Sequence, residues 1–232
     1  MEVIRRQPTI GAEVRGVNLA APLGDSAFAE LYDALVEHKI LYFRDQDLDA
    51  AGQIRLGEQF GPLEVNPFRP QGRDAPVLQM IRNDRDNPVF TTDVWHADLT
   101  FQAMPTKFTI LRCIEMPACG GDPLWADMAA AFDGLDAGLQ RTIAGLEAEH
   151  DFKNFRRLYA GKPERADELA ELDARFPRMH HPVVTTHPDT QQQVLFVNRQ
   201  FTVRIVDMPN AASEALLETL YAQSAVPEYQ FR

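Results

Sequence analysis

The segment VWHADLTF, Val94 to Phe101, sets an imidazole and a carboxylate two residues apart, as His96 and Asp98. These are the donor types of the 2-His-1-carboxylate facial triad, which holds non-haem Fe(II) and keeps positions open for a co-substrate and oxygen. The neighbours are largely aromatic or β-branched, which suits a strand. On a strand, residues i and i+2 share a face. The segment is therefore expected to be a strand aiming His96 and Asp98 to one side and Trp95 and Ala97 to the other, two donors of a three-donor set. H-x-D alone is a short pattern that chance produces readily, and a strand histidine is often structural. The rest of the chain must decide its weight.

No other histidine obviously completes the set. His180 and His181 are adjacent and diverge on a strand, while His150 and His187 stand beside Asp151 and Pro188 in turn or strand-end contexts. All four read as structural. The chain has no G-x-S-x-G, P-loop, G-x-G-x-x-G or H-E-x-x-H pattern, so hydrolase, nucleotide-binding and metalloprotease readings lack their anchors. Gly120-Gly121 reads as a turn.

The elements that must position the pair are mixed. Phe28, Leu31, Tyr32, Leu35 and Val36 recur at helical spacing after a capping candidate at Asp25 or Ser26. A second helix is expected from about Asp49 to Gly61-Pro62, and others over Ala129 to Leu146 and Asn210 to Tyr221. ILYF (Ile40 to Phe43), VLQMIR (Val77 to Arg82), KFTILRCIE (Lys107 to Glu115), VLFV (Val194 to Val197) and the closing YQFR read as strands, like VWHADLTF itself. The link from Asp151 to His181 is polar, with a weak helix around Glu164 to Leu172, as befits a lid or binding loop. Helices on a mainly β core are the expected class.

At 232 residues the chain suits one core and a single domain over residues 1–232. A net charge of -11 and a pI near 5.0 exclude the basic footprint of a nucleic-acid binder. No apolar run approaches the roughly 20 residues of a membrane span, and the charged start MEVIRRQPTI is no signal peptide, so a cytoplasmic protein without membrane partners is expected. Cys113 and Cys119 suggest buried thiols rather than a disulfide framework.

Taken in order, IGAEVRGVNL, ILYFRDQ, VWHADLTF, CGGDPLWADMAAAF, AEHDF, HHPVVTTHPDT, LFVNRQFTVRIVD and PEYQFR make the chain resemble the taurine dioxygenase family of Fe(II)/2-oxoglutarate-dependent dioxygenases along nearly its whole length. The resemblance implies a double-stranded β-helix, or jelly roll, with flanking helices. It also implies Fe(II) as cofactor, 2-oxoglutarate and oxygen as co-substrates, and His96 and Asp98 as the first two iron ligands. Phe201 matches a position lining the substrate pocket, although an aromatic there also suits plain core packing. Asn66, Arg69 and Thr92 fall where the taurine enzyme has a substrate-binding histidine, a tyrosine and a substrate-contacting asparagine. A pocket built on one set of hydrogen bonds rejects a substrate that leaves them unpaired, so taurine itself is not the implied substrate. Pro123 stands where the family commonly has a threonine that helps hold 2-oxoglutarate, and proline offers neither hydroxyl nor N–H.

In the family, the second iron-binding histidine and the arginines for 2-oxoglutarate and an anionic substrate follow the equivalent of PEYQFR, whereas this sequence ends at Arg232. The jelly roll is thus expected to be incomplete at its C-terminus, with the family's last segment missing from the sequence. The expected function is oxygenation of a small anionic organic molecule (sulfonate, sulfate ester or carboxylate) with decarboxylation of 2-oxoglutarate to succinate, by a chain that can be a homo-oligomer. The alternative is a catalytically inactive short homologue acting as a binding or regulatory partner, a reading supported by Pro123 and the end at Arg232.

Overall fold

A computed structural model describes residues 1–65, 68, 77–84, 93–159 and 161–232. Two strands, β1 (Glu2–Arg5) and β2 (Ala12–Arg15), form an antiparallel hairpin, and β3 (Leu41–Tyr42) joins β2 in parallel. The parallel crossover is made by helix α1 (Asp25–His38), which buries Leu31, Ala34 and His38. Neither Asp25 nor Ser26 caps it. Gly24 is the N-cap without a side-chain hydrogen bond, and Asp25 instead puts its charge in the first turn, where the helix dipole favours an anion. Helix α2 (Ala50–Phe60) starts where expected, because the Asp49 side chain accepts from the Gly52 N–H.

The middle of the chain departs from expectation. Val77 to Arg82, Val94 to Phe101 and Lys107 to Glu115 have strand composition, yet none forms a ladder among the described residues. Strand propensity measures fit to a paired, half-buried surface, and without a pairing neighbour such residues stay merely extended or turn. Described helix consequently exceeds strand, and the architecture is mixed helix and sheet rather than mainly β. The two cysteines also depart: both lie on the exposed run after Lys107 and carry free thiols. Exposed Leu111, Ile114 and Met116 share that run.

After β4 (Trp125–Ala126), the helical pattern expected over Ala129 to Leu146 breaks at Gly134 into α3 (Met128–Asp133) and α4 (Ala137–Ile143), each capped by an aspartate, Asp127 and Asp136. Strand β5 (Glu147–His150) is central to a three-stranded antiparallel sheet between β6 (Met179–Pro182) and β9 (Thr202–Ile205). The weak helix of the polar link is α5 (Ala166–Arg175). Strands β7 (Val184–Thr186) and β8 (Gln193–Leu195) form a hairpin, α6 is Asn210–Tyr221, and β10 (Gln230–Phe231) returns to pair with β4. That return fixes one glycine: Gly11 has φ +94°, and a Cβ there would lie 2.5 Å from the Phe231 ring.

One core joins α3, α4, β5, β8, β9 and α6 through Ala131, Ile143, Ala148, Leu195, Ile205 and Leu220. A second is aromatic and contains Phe101, Phe152, Tyr159 and Phe201 with Leu172. The N-terminal sheet contains buried Glu13, which binds Arg6, accepts from Arg15 Nε at 2.7 Å and from the Tyr42 hydroxyl at 3.1 Å. The Arg15 and Arg6 hydrogen bonds hold its carboxyl down at about 2, well below the ordinary value of 4.5. A carboxylate whose pKa is lowered on folding contributes stability above its unfolded pKa, and the contribution disappears as pH falls through the folded value. Glu13→Gln is therefore expected to destabilise the protein at pH 6 and to become nearly neutral by pH 2, measured by urea unfolding across that range.

Candidate metal centre

His96 and Asp98 do not occupy a strand, yet they converge. His96 lies outside any helix, strand or turn, and Asp98 begins a turn in which the Gln102 N–H donates to the Leu99 carbonyl at 2.9 Å. Leu99 has φ +52°, the left-handed region that costs a non-glycine residue about 1–2 kcal/mol. Here the turn, not period-two alternation, sets the carboxylate beside the imidazole. His96 Nε2 is 3.4 Å from Asp98 Oδ1.

The other atom of each side chain is already engaged. His96 Nδ1 lies 2.8 Å from the Val94 carbonyl, an acceptor only, so Nδ1 carries a proton, and Nε2 presents a lone pair once it gives up the proton it shares with Asp98. Asp98 Oδ2 accepts from the Thr109 hydroxyl at 2.7 Å. The Asp98 hydrogen bond raises the imidazole above its ordinary pKa, and the same bond lowers the Asp98 carboxyl, with the Thr109 hydroxyl acting in the same direction. The proton the pair shares is what it surrenders on holding a cation. The side chains are 29% and 43% exposed, so Nε2 and Oδ1 face an accessible space.

This arrangement fits a divalent metal. Imidazole nitrogen and carboxylate oxygen typically bind such an ion at about 2.0–2.2 Å, so two donors of one ion can stand up to roughly 4 Å apart. A separation of 3.4 Å lies within that span. A hydrogen-bonded outer partner on each ligand is the usual means of orienting a metal site. Among the described residues, no group of three His, Cys, Asp or Glu gathers around a common point.

The buried acidic groups beside His150 are committed elsewhere. Buried Glu149 and Asp151 flank His150 in sequence, but Arg178 reaches Glu149 at 2.7 Å and Asp151 at 3.2 Å, Arg204 reaches Glu149 at 3.2 Å, and Arg156 reaches Asp151 at 3.2 Å. His150 is fully buried, and burial first, then His181 and Lys153, pushes its imidazole down to about 3. It is a neutral structural group, as its sequence context suggests.

Phe201 is 1% exposed and packs on Phe101 and Phe155, with ring centroids 5.2 and 5.9 Å away. It belongs to the aromatic core on the inner side of the Asp98 turn. Asn66, Arg69 and Thr92 lie outside the described residues. Pro123 is exposed after Gly120 and Gly121, both at positive φ, where the chain bends at Gly120. Sequence reasoning missed Thr109 and the Val94 carbonyl. Thr109 meets Asp98 across eleven residues with no helical or strand period to announce it.

The family model described as "Taurine catabolism dioxygenase TauD, TfdA family" matches residues 2–232. The chain belongs to the TauD, TfdA family. Members of the TauD, TfdA family are Fe(II)/α-ketoglutarate-dependent dioxygenases. The α-ketoglutarate-dependent sulfonate dioxygenase of Saccharomyces cerevisiae is 29% identical over 95% of this chain, which spans 55% of that protein. The α-ketoglutarate-dependent 2,4-dichlorophenoxyacetate dioxygenase of Cupriavidus pinatubonensis is also 29% identical, over 97% of this chain and 82% of its own length. Among solved structures, AAD-2 in complex with Mn(II) and N-oxalylglycine superposes with a TM-score of 0.79 at 25% identity, covering 100% of this chain and 82% of that one. Among the described residues of this TauD, TfdA family member, no helix is long and apolar enough to cross a membrane.

Proposed function

We propose that the protein is an Fe(II)/2-oxoglutarate-dependent oxygenase that hydroxylates a small anionic organic substrate, a sulfonate, sulfate ester or carboxylate, with His96 and Asp98 as iron ligands. The reading rests on one observation: Nε2 and Oδ1 face each other at 3.4 Å while the second atom of each side chain is held by Val94 and Thr109. Bound iron, with 2-oxoglutarate and oxygen, supplies the oxidising power, coupling loss of CO2 and formation of succinate to hydroxylation of a C–H bond.

The chain's own residues orient the site. The Val94 carbonyl keeps the proton on Nδ1, the Thr109 hydroxyl steers Oδ2 away, and the aromatic core behind the turn excludes water from its inner side. Phe201, Asn66 and Thr92 are proposed to shape the substrate pocket. The departure of Asn66 and Thr92, with Arg69, from the taurine enzyme's contacts argues for an anion other than taurine. Hydroxylation beside the heteroatom would then release the anionic group. The mixed sheets are proposed to be parts of a jelly roll in one domain, covered outside by helices.

The test is succinate formation from 2-oxoglutarate and Fe(II), with a panel of alkyl sulfonates, alkyl sulfates and aryloxyalkanoates. At least one class is expected to accelerate succinate release severalfold over the substrate-free rate. Absence of succinate under every condition would sink the oxygenase reading in favour of the inactive homologue.

A further inference from the structure

The turn that carries Asp98 is strained, and something must hold it. Leu99, immediately after the carboxylate, has φ +52°, and such backbone persists only where surrounding contacts over-determine it. The next residue, Thr100, is 1% exposed and its hydroxyl is gripped from two directions. His150 Nδ1 lies 2.9 Å from Thr100 Oγ1, and Asn198 Nδ2 donates to the same oxygen at 3.0 Å.

The grip is itself braced. Asn198 Oδ1 accepts from the Phe201 N–H at 2.9 Å, the Asn198 N–H donates to Thr202 Oγ1 at 2.9 Å, and Thr202 Oγ1 lies 3.5 Å from His150 Nε2. Thr100, His150, Thr202 and Asn198 thus close a ring drawn from the Asp98 turn, β5, the start of β9 and the β8–β9 connection. All four are at least nine-tenths buried, so each hydroxyl or ring nitrogen lacking its partner would be left without water to replace it. Two adjacent residues, Phe101 and Phe201, anchor the same segments in the aromatic core. A ring satisfied in only one arrangement fixes Thr100, and Thr100 fixes the Leu99 backbone.

We infer that Thr100, clamped by His150 and Asn198, is a positioning residue that holds the left-handed Leu99 turn and thereby aims Asp98 Oδ1 at the space shared with His96 Nε2. The clamp approaches Asp98 through the main chain, whereas Thr109 approaches it through the carboxylate. This inference rests on the proposed metal role of His96 and Asp98.

The experiment is titration of the protein with Mn(II), following the free ion by electron paramagnetic resonance, for wild type, Thr100→Val, Thr100→Ala, Thr100→Ser and His96→Ala. Loss of an outer partner of a metal ligand typically weakens affinity about 10–100-fold. Thr100→Val and Thr100→Ala are each expected to raise Kd by about 10-fold, while Thr100→Ser, which keeps the hydroxyl, stays near wild type. The alanine–serine comparison is sufficient if the valine variant does not fold. Equal Mn(II) affinity for folded Thr100→Ala and Thr100→Ser, with His96→Ala strongly weakened, overturns the clamp and spares the metal site. Equal affinity for wild type and His96→Ala overturns the metal reading and the clamp with it.

Discussion

Replacing His96 by alanine is expected to weaken binding of a divalent cation by more than about 100-fold, because loss of a donor atom exceeds the roughly 10–100-fold effect of losing an outer partner. Succinate formation should fall with it. Stability should hardly move: the imidazole is 29% exposed and makes one backbone contact and one part-exposed pair with Asp98, and such exposed pairs and side chains usually count for about 1 kcal/mol or less. The contrast between a lost cation and an unchanged urea midpoint separates a ligand from a packing residue. A His96→Ala protein that keeps wild-type Mn(II) affinity would refute the assignment. Asp98→Asn is the matching variant. It is close in shape and leaves an oxygen for Thr109, but removes the charge that favours a cation, so its metal affinity should also fall while the fold persists.

The two donors were legible as residue types at a spacing of two, but not for the geometric reason that spacing suggests. A strand would have aimed them together by alternation. The structure achieves the same meeting with a left-handed Leu99 and a hydrogen bond closing the turn from Gln102 to Leu99. No single-sequence pattern marks leucine as left-handed, since what holds the conformation is the burial of Thr100 and Phe101, with Thr100 bonded to residues 50 and 98 positions away. Helices α1, α2 and α6 were legible because each carries its own apolar stripe, and in α2 its own capping aspartate. Gly134, which splits the helix expected over Ala129 to Leu146, was visible too, but a single glycine costs only about 1 kcal/mol against alanine and does not by itself announce a break. The extended run after Lys107 was misread for a different reason. Its alternation describes residues suited to a sheet, whereas pairing depends on what lies alongside, and among the described residues no strand pairs with it. The exposure of both cysteines follows from the same fact.

The aromatic core behind the turn should carry the largest share of stability of any single site considered. Phe101 is 1% exposed and meets Phe152, Phe176 and Phe201 at ring-centroid distances of 5.7, 5.2 and 5.2 Å. Truncating such a side chain removes its transfer free energy and leaves a cavity that a rigid neighbourhood only partly fills, so Phe101→Ala is expected to cost about 3–5 kcal/mol in urea unfolding. A loss below about 1 kcal/mol would mean that the cluster collapses freely, which rings interlocked at these angles should not do. Phe201→Ala should be similarly costly, since Phe201 is as deeply buried, and reduced turnover in that variant could not by itself assign the ring to the substrate pocket. Phe201→Leu divides the two roles. A large hydrophobic replacement preserves most of the buried apolar volume and should cost less than about 1.5 kcal/mol, so the protein remains folded at the assay temperature. A severalfold rise in KM for the best substrate, with kcat and stability near wild type, would place Phe201 against substrate. Unchanged KM would leave it as packing that supports the Asp98 turn from within.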